Sequence, residues 1–257
     1  MPTTPPSRLA LLIFDLDGTL IDSRDDLVLS VNLALADLDR PPLPEAVVAN
    51  YVGDGAAVLM QRALGLLPPP DRSRWEAPPP PAGAAAALAE RGLAAFLAHY
   101  AEHLLDRTAL YPGVAEGLHA LRAAGFRLAV LTNKPVNPSR AILAGLGLDG
   151  LFFSVYGGNS FARKKPDPVG VATLLDECRL APRAAAMIGD SAVDVATGRA
   201  AGTWTWGVTY GFAPATLALE PPDALAASFP ELCAQLLPLA GPAAPADRHA
   251  HGITMEA

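Results

Sequence analysis

The chain has 257 residues, of which 51% are hydrophobic, enough for one large core domain and a smaller companion. Its formal net charge of −7 argues against nucleic acid as a partner, because binding a phosphate backbone requires clustered lysine and arginine. The two cysteines form neither a disulfide framework nor a zinc motif, and the apolar run at 9–14 is too short for a membrane span or a signal peptide. We therefore expect a cytoplasmic globular protein with no membrane partner.

Five short apolar runs predict buried strands, at residues 9–14, 127–131, 152–156, 185–188 and 204–208. Segments with helical spacing alternate with them, at residues 114–124, 138–146, 168–178 and 193–201. Strands that alternate with helices of this length indicate βαβ units. The predicted core is therefore α/β, a doubly wound, Rossmann-like parallel sheet with helices on both faces.

Residues 22–110 interrupt this alternation with helical patterns alone, at residues 25–38, 43–51, 56–64 and 84–105. We interpret this interval as an inserted all-helical cap over the carboxyl ends of the strands, where open α/β sheets bind ligands. A proline-dense loop at 67–82 lies inside it, because proline cannot continue a helix. The core then consists of residues 1–21 and 111–237, and residues 238–257 are expected to be a disordered tail.

The first candidate motif places Asp15 and Asp17 at the end of the first predicted strand. Two carboxylates on one side of a strand end are costly without a cation or a task that separates their protonation. Asp15 is a candidate nucleophile, and Asp17 a candidate general acid and base. Gly18 would allow a tight turn in which the backbone of Gly18 and Thr19 faces phosphate oxygens. An ordinary aspartate-rich turn is the alternative.

The second motif is Thr132 and Asn133, which follow the strand at 127–131. Either side chain could hydrogen-bond a phosphoryl oxygen. A plain helix cap explains the same two residues.

The third motif is Lys165, held between a basic run and Pro166. An ammonium at this point could neutralise a nucleophile and a transferring phosphoryl group, which is the main demand of phosphoryl transfer. The alternative is a solvated basic loop.

The fourth motif is Asp190 at a strand end and Asp194 four residues later, at the start of a helix. Sparse carboxylate ligands completed by water and phosphate are typical of Mg²⁺ sites. We expect Asp190 to bind the ion directly, and Asp194 to act through water or a hydrogen bond. Capping of the next helix is the alternative. Four polar clusters at strand ends in one chain nevertheless favour a site over four separate caps.

In this order the four motifs resemble the signature motifs of the haloacid dehalogenase superfamily. The resemblance implies that Asp15 and Asp190 give side-chain oxygens to Mg²⁺, with a backbone carbonyl from Asp17. It also implies that Thr132 and Lys165 position the phosphoryl group. A finer similarity, to bacterial phosphoglycolate phosphatases, is carried by residues 51–56, 62–65, 100–104, 110–114, 132–135 and 207–211.

The finer similarity implies that 2-phosphoglycolate, a small phosphorylated acid, is hydrolysed through an aspartyl-phosphate. Gly53, Asp54 and Gly55 precede a helix whose free N–H groups could receive the carboxylate, and a structural turn is the equal alternative. Asn159 departs from the pattern, since such phosphatases usually have aspartate there. A sugar-phosphate phosphatase or phosphomutase of the same superfamily, and a sensor that binds without turnover, stay open. The chain is expected to be a monomer or a homodimer.

Overall fold

The computed structural model describes residues 8–70 and 81–241. Most of the predicted proline-rich loop, residues 71–80, and most of the predicted tail, residues 242–257, lie outside the described residues. The helices and strands follow in the order β1 Leu11–Phe14, β2 Ile21–Asp22, α1 Arg24–Asp37, α2 Glu45–Tyr51, α3 Ala56–Ala63, α4 Ala84–Glu102, β3 Ala109–Leu110, α5 Val114–Ala123, β4 Arg127–Leu131, α6 Val136–Gly145, β5 Ser154–Tyr156, α7 Val169–Cys178, β6 Ala185–Gly189, α8 Ala192–Ala200, β7 Trp204–Val208, β8 Ala224–Ala226 and α9 Phe229–Leu236.

The core is a six-stranded sheet in the order β5-β4-β1-β6-β7-β8, and every neighbouring pair is parallel. Counted along the core alone, this is the doubly wound order 3-2-1-4-5-6. The direction of winding reverses between β1 and β6, and in such sheets the ligand crevice lies beyond the carboxyl ends of those strands. The predicted fold class is confirmed.

β1 shows why the central strands are apolar throughout. Leu12 and Phe14 lie in the larger hydrophobic cluster, where the rings of Phe14 and Phe229 are 6.1 Å apart. Leu11 and Ile13 lie in a second cluster with residues of α7. Alternate side chains of a strand point to opposite faces, and helices cover both faces of this sheet, so every position must be apolar.

The end of the core differs from the prediction. Neither β8 nor α9 was predicted. β8 was missed because its sequence, Ala-Leu-Ala, lacks the β-branched residues that indicate a strand. The chain then continues through a 3-10 helix, Leu237–Leu239, and the Leu9 amide donates to the Leu239 carbonyl at 2.7 Å. The Gly241 amide donates to the Leu9 carbonyl at 2.9 Å. The predicted start of the tail at 238 is therefore wrong for residues 238–241, which pair with the N-terminal segment.

The insertion begins and ends at a two-stranded antiparallel ribbon of β2 and β3. Between these strands, the described residues form the helices α1, α2, α3 and α4 and no strand. The buried Asp26 carboxylate closes the base of the insertion by accepting the Thr108 amide and hydroxyl, both at 2.7 Å. Within residues 8–70 and 81–241, no helix combines the length and the apolar character that crossing a membrane requires. The division into cap and core domains stays a prediction.

Candidate active site

A cavity of about 360 Å³ lies between the insertion and the carboxyl ends of the strands. Asp15 follows β1 and Asp190 follows β6, and the Asp15 amide donates to the Ile188 carbonyl at 2.9 Å, so the two acids stand side by side where the winding reverses. The volume is in the lower range of roughly 300–1,000 Å³ typical of small-molecule sites. Ten of the twelve predicted site residues line the cavity: Asp15, Asp17, Gly53, Asp54, Gly55, Thr132, Asn133, Lys165, Asp190 and Asp194.

Lys165 lies between two of the acids. Its Nζ is 2.9 Å from Asp15 Oδ1 and donates to Asp194 Oδ1 at 2.6 Å. The lysine side chain is only 3% exposed. Burial alone would lower the pKa of Lys165, but Asp15 and Asp194 together raise it above its ordinary value. Lys165 is therefore a fixed positive charge beside the Asp15 carboxylate.

Asp15, Asp190 and Asp194 form a group of carboxylates whose nearest oxygens lie within 4.8 Å of one another. Burial raises the pKa of Asp15 to about 6, and burial together with Asp194 and Asp15 raises that of Asp190 to about 7. Asp15 Oδ1 is buried, and no donor among the described residues meets hydrogen-bond geometry with it, although the Lys165 ammonium is close. Closely spaced carboxylate oxygens, one of which has no hydrogen-bond partner, suit the coordination of a divalent cation.

Asp190 is oriented from behind by the backbone. Its Oδ2 accepts the amides of Phe212 at 2.5 Å and Ala213 at 2.9 Å. Gly18 and Gly211 allow this close packing, because a Cβ at Gly18 would be 2.5 Å from Asp190 Oδ2 and one at Gly211 would be 2.4 Å from Asp190 Cβ. One Asp190 oxygen is thereby held by the protein.

Asp194 contacts both Ser191, at the start of α8, and Lys165. Its Oδ2 accepts the Ser191 hydroxyl at 2.6 Å and the Ser191 amide at 3.2 Å, which completes a capping box on α8. Its Oδ1 accepts from Lys165. Asp194 therefore caps a helix and at the same time fixes the lysine.

Asp17 has partners that the sequence analysis did not assign. Lys134 Nζ donates to its two carboxylate oxygens at 2.9 and 3.0 Å, and the Ser23 hydroxyl donates at 2.5 Å. The Lys134 side chain is 4% exposed, and its ammonium also lies 4.6 Å from the centre of the Tyr100 ring. Lys134 is a site residue that sequence reasoning missed. The only signal was its place in the segment 132–135 that carried the family similarity.

Thr132 and Asn133 have different environments. The Thr132 oxygen accepts the Lys134 amide at 3.2 Å, which leaves the hydroxyl hydrogen free to donate. The Asn133 amide nitrogen donates to the carbonyls of Gly53 at 3.1 Å and Lys165 at 3.2 Å. Because both side-chain N–H groups are used, Asn133 connects the insertion to the core in this structure, and its contact with a phosphoryl oxygen stays a prediction.

Gly18 and Thr19 do not line the cavity. The Gly18 amide donates to the Ile21 carbonyl at 2.9 Å, and the Thr19 amide to the Leu16 carbonyl at 3.2 Å. The turn itself satisfies these donors in this structure, and the contact of this backbone with phosphate oxygens stays a prediction. Gly18, with φ +82°, serves the turn and the close approach of Asp190.

The predicted segment of the insertion reaches the cavity. Gly53, Asp54 and Gly55 line it, and Asp54 Oδ2 accepts Arg62 Nη1 at 2.5 Å. Arg62 and Lys164 also line the cavity, and neither was predicted as a site residue.

Asn159, the departure noted in the sequence, lies away from these groups. Its Oδ1 accepts the Val136 amide at 2.9 Å, at the first residue of α6. Asn159 supports the start of this helix and does not line the cavity.

Comparison with known proteins agrees with this geometry. The family model of haloacid dehalogenase-like hydrolases matches residues 9–202. A phosphoglycolate phosphatase of Colwellia psychrerythraea is 41% identical over 202 residues, which is 79% of this chain and 85% of that protein. A phosphoglycolate phosphatase of Rhodospirillum rubrum is 42% identical over 206 residues, with 78% and 80% covered.

A solved structure gives the same result. The crystal structure described as a predicted phosphoglycolate phosphatase from Haemophilus somnus aligns with a TM-score of 0.78 and 35% identity, covering 88% of this chain and 97% of that one. The resemblance predicted from the four motifs is confirmed. The chain therefore belongs to the phosphatases of the haloacid dehalogenase-like hydrolase family.

Proposed function

We propose that this phosphatase hydrolyses 2-phosphoglycolate to glycolate and inorganic phosphate through a phosphorylated Asp15, with Mg²⁺ as cofactor. One observation carries the proposal. The buried Asp15 carboxylate, 2.9 Å from the Lys165 ammonium, faces the cavity where the winding of the sheet reverses. A carboxylate held beside a fixed cation and among further acids suits covalent phosphoryl transfer.

In the first step an Asp15 oxygen attacks phosphorus, and the bond from phosphorus to the glycolate oxygen breaks. Lys165 offsets the repulsion between the Asp15 carboxylate and the anionic phosphoryl group. The Thr132 hydroxyl, whose hydrogen is free, donates to a phosphoryl oxygen. The product of this step is an aspartyl-phosphate at Asp15.

Asp17 supplies and takes up the proton. As the carboxylic acid, Asp17 donates its proton to the leaving glycolate oxygen and becomes the carboxylate. In the second step the Asp17 carboxylate accepts a proton from water, the water oxygen attacks phosphorus, and the bond to Asp15 breaks. Lys134 and Ser23 hold Asp17 in place for both steps.

Asp15 and Asp190 are the residues we assign to Mg²⁺, with Asp194 acting through its hydrogen bonds and Asp17 through its backbone carbonyl. When bound, the ion would polarise the phosphoryl group and offset the charge of the carboxylates. The unsatisfied Asp15 Oδ1 and the three-carboxylate cluster support this assignment.

The substrate proposal rests on the relatives and on the insertion. The names of the two relatives reported above specify phosphoglycolate, and the cavity that contains Asp15 is also lined by two cations, Arg62 from the insertion and Lys164 from the core. A small acid with one phosphoryl group suits this cavity. The phosphoryl group would lie beside Asp15 and Lys165, and the carboxylate beside Arg62 and Lys164. A cytoplasmic location and a monomeric or dimeric state stay predictions.

Phosphate release from a panel of esters tests the proposal. The panel contains 2-phosphoglycolate, sugar phosphates and p-nitrophenyl phosphate, each with Mg²⁺ and with excess chelator, and Asp15→Asn serves as the inactive control. We expect Mg²⁺-dependent hydrolysis with the highest kcat/KM for 2-phosphoglycolate, and no turnover by Asp15→Asn.

Other outcomes would redirect the proposal. A preference for sugar phosphates would leave the chemistry in place and reject the substrate. Binding of phosphate esters without turnover by the wild type would favour a sensor. Turnover that chelator does not affect would reject the cofactor.

A further inference from the structure

The end of the cavity formed by the insertion contains two cations that the proposed chemistry does not use. Arg62 lies on α3, and Lys164 lies in the segment before α7. Both line the same cavity as Asp15, and the Arg62 side chain is only 8% exposed. A buried guanidinium in a cavity needs partners for its five donors.

Arg62 has only part of its hydrogen-bonding capacity satisfied. Its Nη1 donates to Asp54 Oδ2 at 2.5 Å and to the Tyr51 carbonyl at 3.4 Å. Its Nε is buried and has no hydrogen-bond partner among the described residues. Leaving a buried donor of a charged group unpaired is costly, so the unpaired Nε of a cavity-lining arginine indicates a ligand.

Lys164 adds a second positive charge beside it. Its ammonium donates to the main-chain carbonyl of Asp54, and a Cβ built on Gly55 would lie 3.2 Å from Lys164 Nζ. Burial lowers the pKa of Lys164, and Arg62 lowers it further against the opposing effect of Asp54. The charge of Arg62 therefore acts on the ammonium of Lys164.

The charges at this end do not balance. Among the residues that the structure describes, Asp54 is the carboxylate that contacts both, through its side chain to Arg62 and its backbone to Lys164, and 37% of its side chain is exposed. Arg62, Lys164 and Asp54, the charged groups described at this end, together carry a net charge of one positive unit. A single monovalent anion would neutralise it.

We propose that Arg62 and Lys164 form an anion subsite that binds the carboxylate of the substrate, with Asp54 holding the guanidinium in place. The inference rests on the proposed function and specifies its substrate class: phosphate monoesters that carry a carboxylate. Guanidinium binds carboxylate through paired donors, and the buried Nε is a donor of Arg62 without a partner among the described residues. The residues predicted from the sequence, Gly53 to Gly55, then serve as the support of the subsite.

A comparison of two nearly isosteric esters tests the subsite. The kcat/KM of the Mg²⁺-loaded enzyme is measured for 2-phosphoglycolate and for 2-hydroxyethyl phosphate, which replaces the carboxylate by an uncharged group. The pair 3-phosphoglycerate and glycerol 3-phosphate repeats the comparison on a larger leaving group. The variants are Arg62→Met, Arg62→Lys and Lys164→Gln.

Arg163→Gln is the matched control for Lys164→Gln. It removes a neighbouring cation whose side chain is 80% exposed, where it pairs with Asp167. The neutral esters serve as an internal control, because their hydrolysis requires the same fold and the same chemistry without the carboxylate contact.

We expect Arg62→Met to lower kcat/KM for the acidic esters roughly 10- to 100-fold, as for a lost charge-assisted hydrogen bond, and for the neutral esters less than about threefold. Arg62→Lys should lose less than Arg62→Met, because it keeps the charge without the planar fork. Lys164→Gln should lower the preference for acids as well, and Arg163→Gln should not.

Each remaining outcome has a defined meaning. An equal loss on acidic and neutral esters, or no loss on either, would overturn the subsite and make Arg62 a structural residue. If the wild type hydrolyses 3-phosphoglycerate but not 2-phosphoglycolate, and Arg62→Met removes that preference, the proposed substrate fails and the subsite stands. If the wild type hydrolyses no carboxylated ester, both fail.

Discussion

Lys134 offers a sharp test of how the site is held together, because replacing it leaves Asp17 in the cavity without its main partner. Lys134 Nζ lies 2.9 Å from Asp17 Oδ1, and the two side chains are 4% and 13% exposed. At an effective dielectric constant of about 20, the Coulomb attraction at this distance is roughly 6 kcal/mol before desolvation is subtracted. Removing one partner of a buried pair costs about 3–5 kcal/mol.

For Lys134→Met we expect a loss of about 3 kcal/mol in the free energy of unfolding, the lower end of that range, because cavity water can reach Asp17. For a chain of this size the loss corresponds to a fall in Tm of roughly 6–12 °C. Arg163→Met, which removes an exposed cation, should change the free energy of unfolding by less than about 0.5 kcal/mol.

The assay is a double-mutant cycle in urea with Lys134→Met, Asp17→Asn and the double variant. We expect a coupling energy of at least about 2 kcal/mol, since neither residue keeps its main electrostatic partner once the other is replaced. If the two single effects add to within about 0.5 kcal/mol, the pair does not hold Asp17 and this reasoning is refuted.

Three further predictions concern the nucleophile, the cation and the packing behind it. With p-nitrophenyl phosphate, Asp17→Asn should release about one equivalent of p-nitrophenolate per enzyme in a burst, whereas Asp15→Asn should give none; an absent burst would contradict the covalent step. In the folded protein the pKa of Asp15 is raised from 3.8 to about 6, and that of Asp190 from 3.8 to about 7. The stability that these two carboxyl groups contribute in the metal-free protein is therefore lost as pH rises through 6–7. We expect the rise in Tm caused by Mg²⁺ to be larger at pH 8 than at pH 5.5. A similar rise at both values would count against these carboxylates as ligands. Gly211→Ala should cost about 1–3 kcal/mol in urea unfolding and weaken the Mg²⁺ effect, because its Cβ would stand 2.2 Å from the Gly18 carbonyl oxygen; a variant that matches wild type in both would show that Asp190 has room to move.

The parts of the site that follow strand ends could be predicted from the sequence. Asp15, Thr132 and Asp190 come directly after apolar strands, and the parallel order of the sheet brings such positions to one edge. The same argument does not say which donors are already used. The amides of Gly18 and Thr19 bond within their own turn, and this depends on backbone geometry rather than on residue type.

The missed residues have another cause. Arg62 reaches the cavity because the insertion packs over the core, and Lys134 because its side chain pairs with Asp17. In a sequence, a cation on a short segment is expected to be exposed to solvent. β8 was missed because pairing with β7, rather than strand propensity, holds Ala224–Ala226 in the sheet.

The charges around the cavity differ between the core end, where the phosphoryl group binds in our proposal, and the end with the proposed carboxylate subsite. At the core end, Asp15, Asp17, Asp190 and Asp194 outnumber Lys134 and Lys165 by two, so a phosphoryl dianion is repelled there until a divalent cation balances the excess. At the other end the proposed subsite carries one positive unit with no metal present. Removing the cation should therefore weaken binding of inorganic phosphate much more than binding of glycolate, which calorimetry with each ligand in chelator and in Mg²⁺ can measure. Equal losses for the two ligands would mean that both ends depend on the metal, and the electrostatic division between chemistry and selection would be rejected.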